Sequence, residues 1–522
     1  MAGKLTNAAL PALGWNYIGT LTRSTCGFII GILLARLLGP RPFGQLAAAG
    51  IIFSLGQHLA DAGFSSALVQ APELSQRQIR FAFTAQVFMG TAMLVVAILA
   101  APYVALAFHD AAIQRVLYGV APLFLLQSVG QTSTGLLKRN LAFKAVQNAQ
   151  VCSYLFGYCA IGLPAAYFGA GVWSLVSAQM AQALWYSVQV YAGIRHSIIP
   201  CLDKSGMRLL RFGTKITASN ITNWGVYNLE DVFAGRAFGS TGLGLYRRAF
   251  TILLTPAQGI VGTFQQVLFA SYSRAGIDMP RIRRAYLAVT AGIGMIVLPL
   301  FWSLAACASS VVIGLYGSRW TEAIPLILPL ALAVPLYALM GLAGPVLAAT
   351  DHIEQDLRAQ ALSFVVAAAA FAISVLYSLT VMAWAVVFAY AFRYWVSTRP
   401  ALRLLGIRWG DVARVLAGPA AVGVVTTCVV FVANSVATYC RIQPLYILGG
   451  LAFTGAVTVS VLLVLVGDRV LAPELVGTLM HITARLPRRF GLAFEAIATR
   501  QSVRLKQQGP RVHSPVVTSA AQ

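Results

Sequence analysis

Acidic residues are scarce. The 522-residue chain holds only 15 Asp and Glu against 38 Lys and Arg, and charged residues together make up 10% of it. A soluble globular domain carries about a quarter, so an ordinary soluble fold is excluded. The 6 histidines form no cluster. The 7 cysteines are scattered. Cys26, Cys152, Cys159, Cys307 and Cys428 fall in apolar segments, Cys201 and Cys440 in loops, and no Cys-x-x-Cys occurs. Neither a metal site nor a disulfide framework is supported; the thiols read as small buried hydrophobes. No Gly-x-x-x-x-Gly-Lys-[Ser/Thr] loop and no His-Glu-x-x-His is present, which excludes the common ATP and zinc-protease signatures. No long loop carries the acidic residues that a membrane glycosyltransferase needs, so no catalytic constellation is visible and the protein is not expected to be an enzyme. No short apolar region precedes a small-residue cleavage site, so no cleaved leader is expected.

What the sequence has in quantity is apolar length. Hydrophobic residues make up 58% and the mean hydropathy is +0.75. A span needs about 20 mostly apolar residues. Fourteen candidates follow: 12–38, 43–63, 80–101, 116–137, 149–168, 171–193, 209–238, 249–271, 286–306, 323–349, 359–378, 381–398, 414–435 and 445–466. The fold class is therefore an all-α polytopic membrane protein. The net charge of +23 lies in the loops between spans. With the N-terminus inside, the inner loops collect eighteen Lys and Arg. The outer loops hold six: Arg41, Arg115, Arg247, Arg248, Arg319 and Arg441. By the positive-inside rule both termini face the cytoplasm. The basic charge belongs to topology, and no nucleic-acid partner is implied.

One stretch is too polar for an ordinary span. Residues 209–256 carry Lys215, Asn220, Asn223, Asn228, Glu230 and Asp231 among apolar neighbours. Lys215, Ser219, Thr222, Asn223, Val226 and Glu230 share one helical face. Ionisable groups at membrane depth cost a few kcal/mol and usually face a water-filled cavity; the competing reading is polar glue between packed helices. The same stretch holds half of an internal repeat. Residues 36–44 read RLLGPRPFG and residues 236–244 read RAFGSTGLG, both Arg-x-x-Gly-x-x-x-x-Gly at an offset of 200. Phe64 aligns with Phe264, Leu68 with Leu268 and Arg23 with Asn223; after a three-residue insertion Ile79 and Arg80 align with Ile282 and Arg283. Each copy joins the first and second spans of a six-span set, giving a 6+6+2 arrangement around a central cavity, an architecture suited to alternating access. The expected divisions are 1–193 and 209–400 for the two six-helix lobes, 194–208 for a cytoplasmic linker, 401–466 for two added helices and 467–522 for a basic cytoplasmic tail. Gly39, Gly44, Gly239 and Gly244 permit tight turns. Arg36 and Arg236 are expected to snorkel or to cap the last carbonyls of their helices.

Several of these residues resemble a known family. Asn228-x-x-Asp231, Gly235-Arg236-x-x-Gly239, Leu243-Gly244-x-Tyr246-x-x-Ala249 and Pro256 are similar to the seventh and eighth spans of oligosaccharide flippases. These belong to the multidrug/oligosaccharidyl-lipid/polysaccharide exporter superfamily, in the branch serving colanic-acid-type exopolysaccharides. LARLLGPRPFGQLA (34–47) and LYGSRWTEA (315–323) resemble two further motifs of that branch. The added acid Glu230 and the acidic loop 351–358 depart from it. The resemblance covers about residues 12–400 and implies a V-shaped bundle with a cationic central cavity. It also implies a substrate, a polyprenyl-diphosphate-linked oligosaccharide carried across a bacterial inner membrane for exopolysaccharide or lipopolysaccharide synthesis. A polysaccharide polymerase and export proteins are the partners such a role suggests.

On that reading Arg23, Lys215 and Arg393 are the cavity cations. Asn16 and Thr20 continue the Arg23 stripe and Asn220 and Asn223 the Lys215 stripe. Gln86, Gln179 and Gln182 are candidates for sugar contacts, with helix glue as the plainer role. Snorkelling toward an interface is the competing role for Lys215. Glu230 and Asp231 are adjacent, so if both are buried one should hold its proton at neutral pH. They are the candidates for proton or sodium coupling, and no other cofactor is expected; the plainer alternative pairs Asp231 with Arg236 or Lys215. A multidrug or small-cation antiporter of the same superfamily is the alternative function, but its cationic cargo wants carboxylates, and the first-half spans offer little beyond Asp61. A membrane polymerase or glycosyltransferase and a peptidoglycan-precursor flippase are weaker readings.

Overall fold

The computed structural model describes residues 2–470 except 62, 72–73, 202–206, 276–277 and 351. The expected tail from 471 onward and residues 202–206 of the linker therefore lie outside the described residues. The described chain is helical throughout. In order come α1 (Ala2–Leu38), α2 (Pro40–Asp61), α3 (Phe64–Gln70), α4 (Gln76–Ala107), α5 (Ala112–Val120), α6 (Pro122–Arg139) and α7 (Phe143–Leu155). A π-helical segment, Phe156–Gly162, leads into α8 (Leu163–Tyr167) and α9 (Val172–Ile194). Then follow α10 (Met207–Ala275), α11 (Met279–Ala306), α12 (Ala308–Tyr316), a 3-10 turn Ser318–Ala323, α13 (Ile324–Met340) and α14 (Ala343–Ala349). The chain continues through α15 (Ile353–Ser374), α16 (Leu379–Leu404), α17 (Trp409–Tyr439) and α18 (Pro444–Val470).

Ten helices among the described residues are long and apolar enough to cross a membrane. Of the fourteen expected spans, 43–63 and 171–193, which correspond to α2 and α9, are not among them; 209–238 and 249–271, the two arms of α10, hold side chains outside the described residues. Gln45, Ser54, Gln57 and His58 dilute α2, and Ser174, Gln179, Gln182 and Gln189 dilute α9. The division expected near residue 380 is present, because α15 stops at Ser374 and α16 starts at Leu379.

Two compact units emerge, and they do not follow the sequence halves. The first combines Met1–Thr255 with Val312–Leu330 and Phe364–Ala389; the second takes Pro256–Val311, Ala331–Ser363 and the chain from Tyr390. In the first unit small residues let helices close on one another. A Cβ on Gly19 would lie 2.5 Å from the Gln147 Cβ, so α1 lies directly on α7, and one on Gly130 would lie 2.8 Å from Ser187 Oγ, seating α6 on α9. Ser187 Oγ donates to the Leu126 carbonyl at 2.6 Å. Helix α4 starts with a capping box: Ser75 Oγ accepts from the Gln78 N–H at 3.2 Å, and Gln78 Oε1 accepts from the Ser75 N–H at 3.0 Å. Gln86, fully buried on α4, joins Asp61 and Thr132 in a polar cluster. In the second unit α11 packs along α17. Gly294 faces Leu416 and Pro419, and Ser310 Oγ donates to Asn434 Oδ1 at 2.6 Å.

Helix α10 requires a correction to the expected topology. It is two helical arms joined at Gly239, whose φ of 63° and ψ of −168° break the helix. The second arm resumes at once, so Arg247 and Arg248 lie about two turns inside a helix and are not in an outer loop. Gly39 stands at the same place in the first repeat with φ 75°. A Cβ at either glycine would make this left-handed backbone unfavourable.

Candidate functional site: a cation-bearing cavity in the first unit

The two repeat motifs meet each other. A Cβ on Gly44 would collide with the Ser240 carbonyl and lie 2.9 Å from Gly244 N; one on Gly244 would collide with the Pro40 carbonyl. Helix α2 and the second arm of α10 therefore touch backbone to backbone just beyond their kinks. Around this crossing the other connecting segments are exchanged. Trp320, fully buried, donates Nε1–H to the Ala35 carbonyl at 2.9 Å, and Arg319 donates to Leu37 O at 3.0 Å. Arg36 returns the contact, donating Nε–H to Leu315 O at 2.7 Å and also bonding Gly314 O. Each arginine thus satisfies the orphan carbonyls and the negative dipole end of the other helix. Capping was expected of Arg36 on its own helix; the structure places it on α12. On the opposite side Phe108 packs on Gly235, the residue that the repeat aligns with Ala35.

Asp110 ties this end together. Its carboxylate accepts from Ser240 Oγ at 2.7 Å, Gln45 Nε2 at 3.1 Å and the Ala112 N–H at 3.0 Å, with Arg41 at 3.5 Å. Burial raises its pKa, but the hydrogen bonds from Ser240, Gln45 and Ala112 and the Arg41 charge outweigh that effect, so the carboxyl sits below its ordinary 3.8.

Behind the crossing lies a cavity of about 530 Å³. Helix α2 contributes Phe43, Ser54 and His58, α9 contributes Gln179, and α10 contributes Trp224, Asn228, Arg247, Arg248 and Thr251. Phe43 to His58 spans about 22 Å of helix at 1.5 Å per residue. Its walls are thus drawn from α2, α9 and α10. Trp224 Nε1 donates to Ser54 Oγ at 2.8 Å, and Asn228 donates to the Trp224 carbonyl at 2.9 Å.

The two arginines are held in different ways. Arg247 pairs with Asp231 and is in electrostatic reach of Glu230. Both acids are buried. The Arg247 side chain stays 49% exposed while that of Asp231 is 4% exposed. The partner expected for Asp231 was Arg236 or Lys215; the helix turn between 231 and 247 brings Arg247 instead. Arg248 has no carboxylate in contact among the described residues. Its guanidinium stacks on Phe43 at 3.7 Å from the ring centroid, bonds the Tyr316 side chain, and feels the Tyr158 and Tyr154 hydroxyls. Gly31 leaves room for it: a Cβ there would lie 3.1 Å from Arg248 Nη1. Tyr158 sits on the π-helical segment, stacks on Tyr154 at 4.6 Å and bonds Gln179. Such segments often mark functional sites, and here Tyr158 meets the cavity wall through its bond to Gln179.

Of the residues expected to bind substrate, Arg23 and Thr20 are exposed on α1 and do not line this cavity. Arg393 is half-buried in the second unit. The side chains of Asn16, Lys215, Asn220 and Asn223 lie outside the described residues. Gln179 lines the cavity. Gln86 is structural, bonding Asp61 and Thr132, and Gln182 packs against Gly157. Sequence reasoning missed Arg248, Phe43, Trp224 and His58. The signal for Arg248 was in the repeat: residues 247 and 248 align with Ala47 and Ala48, which lie inside the span 43–63.

Comparisons with known proteins agree with this architecture. Relatives include the teichuronic acid biosynthesis protein TuaB of Bacillus subtilis, 22% identical over 67% of this chain and 73% of its own length. The lipopolysaccharide biosynthesis protein WzxC of Escherichia coli is 20% identical over 60% of this chain and 64% of its own. The fold is that of the lipid II flippase MurJ in its inward closed conformation, with a TM-score of 0.67 at 11% identity, covering 85% of this chain and 97% of that one. The model of the polysaccharide biosynthesis protein family matches residues 33–325, more than half of the sequence and both copies of the repeat. The chain is thus a multi-pass membrane protein that belongs to the polysaccharide biosynthesis protein family.

Proposed function

We propose that this protein is a flippase for polyprenyl-diphosphate-linked oligosaccharides in a bacterial inner membrane, with both termini cytoplasmic. The observation that carries the proposal is Arg248, a cation set in a cavity whose described lining contains no Asp or Glu. A diphosphate cannot cross hydrocarbon without replacements for its water shell. Arginine supplies a planar fork of donors suited to phosphate oxygens. Phe43, Tyr154, Tyr158 and Tyr316 hold that fork without neutralising it, which leaves its charge for a ligand. Arg247, half-exposed, offers a second set of donors once its pair with Asp231 rearranges. Gln179, Asn228, Ser54 and Thr251 add the hydrogen-bonding groups that a sugar requires.

The same lining argues against a cationic drug as cargo, which would need exposed carboxylates. On the charge count we place the Gly44–Gly244 crossing at the outer end of the bundle, with the cavity on its inner side. Release outward then requires the crossing, the Trp320 bond and the Asp110 cluster to part. We assign proton or sodium coupling to the Glu230–Asp231–Arg247 group, because loss or gain of a cation there changes the pairing of a cavity arginine.

In cells lacking the native gene, Arg248→Ala and Arg248→Lys should both reduce glycan export. Lipid-linked oligosaccharide should accumulate on the inner leaflet while protein abundance stays normal. Wild-type export by a stably inserted Arg248→Ala variant would remove the basis of the proposal.

A further inference from the structure

A second concavity, of about 410 Å³, lies wholly in the second unit where α16 turns into α17. Trp395, Arg399, Leu402, Arg403, Ile407, Arg408 and Trp409 line it. Its cations have no counter-charge among the described residues. None of Arg399, Arg403 and Arg408 makes an ion pair with a described carboxylate. The acid closest in sequence, Asp411, is already engaged. It accepts from the Arg408 N–H at 3.2 Å, which caps α17, and its carboxylate faces Arg283 at 3.6 Å and Arg414 at 3.5 Å.

The spacing makes the lack of an anion among the described residues more telling. Trp395, Arg399 and Arg403 follow at intervals of four on α16 and so share one face. Like charges at i and i+4 destabilise a helix, and a third guanidinium is brought to the same hollow by the turn at Gly406, whose φ is 60°. Leu402 and Ile407, 2% and 6% exposed, give it a dry floor. Trp395 and Trp409 flank it at 46% and 38% exposure, and the Arg399 guanidinium lies 5.4 Å from the Trp395 ring centroid. Half-exposed tryptophans mark the level of lipid headgroups, and basic pockets between membrane helices at that level suit phosphate-bearing lipids.

We propose that this hollow binds the headgroup of an anionic phospholipid, with the phosphate between Arg399, Arg403 and Arg408 and the tryptophans against the glycerol and upper acyl chains. The site is separate from the transport cavity, so it stands or falls independently of the flippase assignment.

The test uses the purified full-length protein in a non-ionic detergent, titrated with phosphatidylglycerol, phosphatidylcholine, undecaprenyl diphosphate and inorganic phosphate, with binding read by native mass spectrometry and by thermal shift. Phosphatidylglycerol should bind and raise the melting temperature, while phosphatidylcholine and inorganic phosphate should not. At the strength of surface arginines near anionic lipid, the variant Arg399→Gln/Arg403→Gln/Arg408→Gln should bind phosphatidylglycerol about a hundredfold more weakly. A charge-matched control, Arg281→Gln/Arg284→Gln/Arg358→Gln, should keep wild-type binding. Unchanged affinity in the first variant would overturn the proposal. Equal loss in the control would do the same, as would binding of inorganic phosphate alone or of undecaprenyl diphosphate in preference to phosphatidylglycerol.

Discussion

Gly44 and Gly244, the second glycines of the two repeats, lie backbone against backbone: a Cβ on either would come within about 3 Å of the other's amide nitrogen. The contact has no side chain to yield. Gly44→Ala or Gly244→Ala should therefore push α2 off the second arm of α10, at roughly the 1–3 kcal/mol seen for overpacking. Thermal unfolding of each variant in detergent checks this. Gly50→Ala on the same helix, where nothing lies within 4 Å of the added Cβ, should leave stability unchanged.

Trp320 provides a cleaner probe of the exchanged caps. Trp320→Phe keeps the ring near Phe43 and Tyr316 but removes the donor to Ala35 O. Ala35 O keeps its bond from the Gly39 N–H at 3.2 Å, so a loss of about 0.5–1.5 kcal/mol, the worth of one hydrogen bond, is expected. Arg319→Gln, on the exposed side of the same turn, should cost less. Chemical denaturation of the two variants measures the difference.

These contacts show what the sequence reveals and what it hides. The repeat exposed both kinks, because Gly39 and Gly239 stand where the backbone must turn left-handed. It could not show that the copies pack on each other, since partner choice depends on the three-dimensional crossing of α2 and α10. The polar stretch 209–256 pointed to the helix that lines the cavity. The cavity's cations were harder to place. Arg247 and Arg248 follow a glycine-rich segment and read as loop residues by hydropathy, although the repeat aligned them with the interior of α2. Arg248 is also stabilised by rings from four elements distant in sequence, which no local pattern displays.

The Asp231–Arg247 pair couples two groups of unequal exposure. A fully exposed pair contributes about 0–1 kcal/mol, and breaking a buried one costs about 3–5 kcal/mol. With Arg247 half in solvent, an intermediate coupling is expected. A double-mutant cycle with Asp231→Asn and Arg247→Gln, read by unfolding, gives it directly. If the group also carries the coupling ion, Glu230→Gln with Asp231→Asn should abolish transport driven by an ion gradient while the protein remains inserted at normal levels. Gradient-driven transport that survives in the double variant would leave the acids a structural role only.

Asp110 supplies a pH expectation with a definite sign. Its folded-state pKa lies below the ordinary 3.8, so its contribution to stability is fully present above that value. The contribution is lost only as pH falls through the lower folded value. The Asp110 cluster should thus stay intact across pH 5–8. Asp110→Asn should lower stability at neutral pH yet leave the shape of the transport–pH profile over that range unchanged. A profile altered between pH 5 and 8 would show that this carboxyl titrates during transport.

The most direct measurement is flipping by purified protein. Proteoliposomes carrying a fluorescent polyprenyl-diphosphate oligosaccharide report transfer between leaflets as loss of access to a membrane-impermeant quencher or glycosidase. The wild-type protein should accelerate that transfer. Arg248→Gln, which keeps a shorter polar side chain with an amide donor but removes the charge and the guanidinium fork, should reduce the rate at least tenfold, the equivalent of about 1.4 kcal/mol for a single charge-assisted contact to phosphate. Equal rates for wild-type and Arg248→Gln proteoliposomes would contradict the assignment of this cavity to the lipid diphosphate.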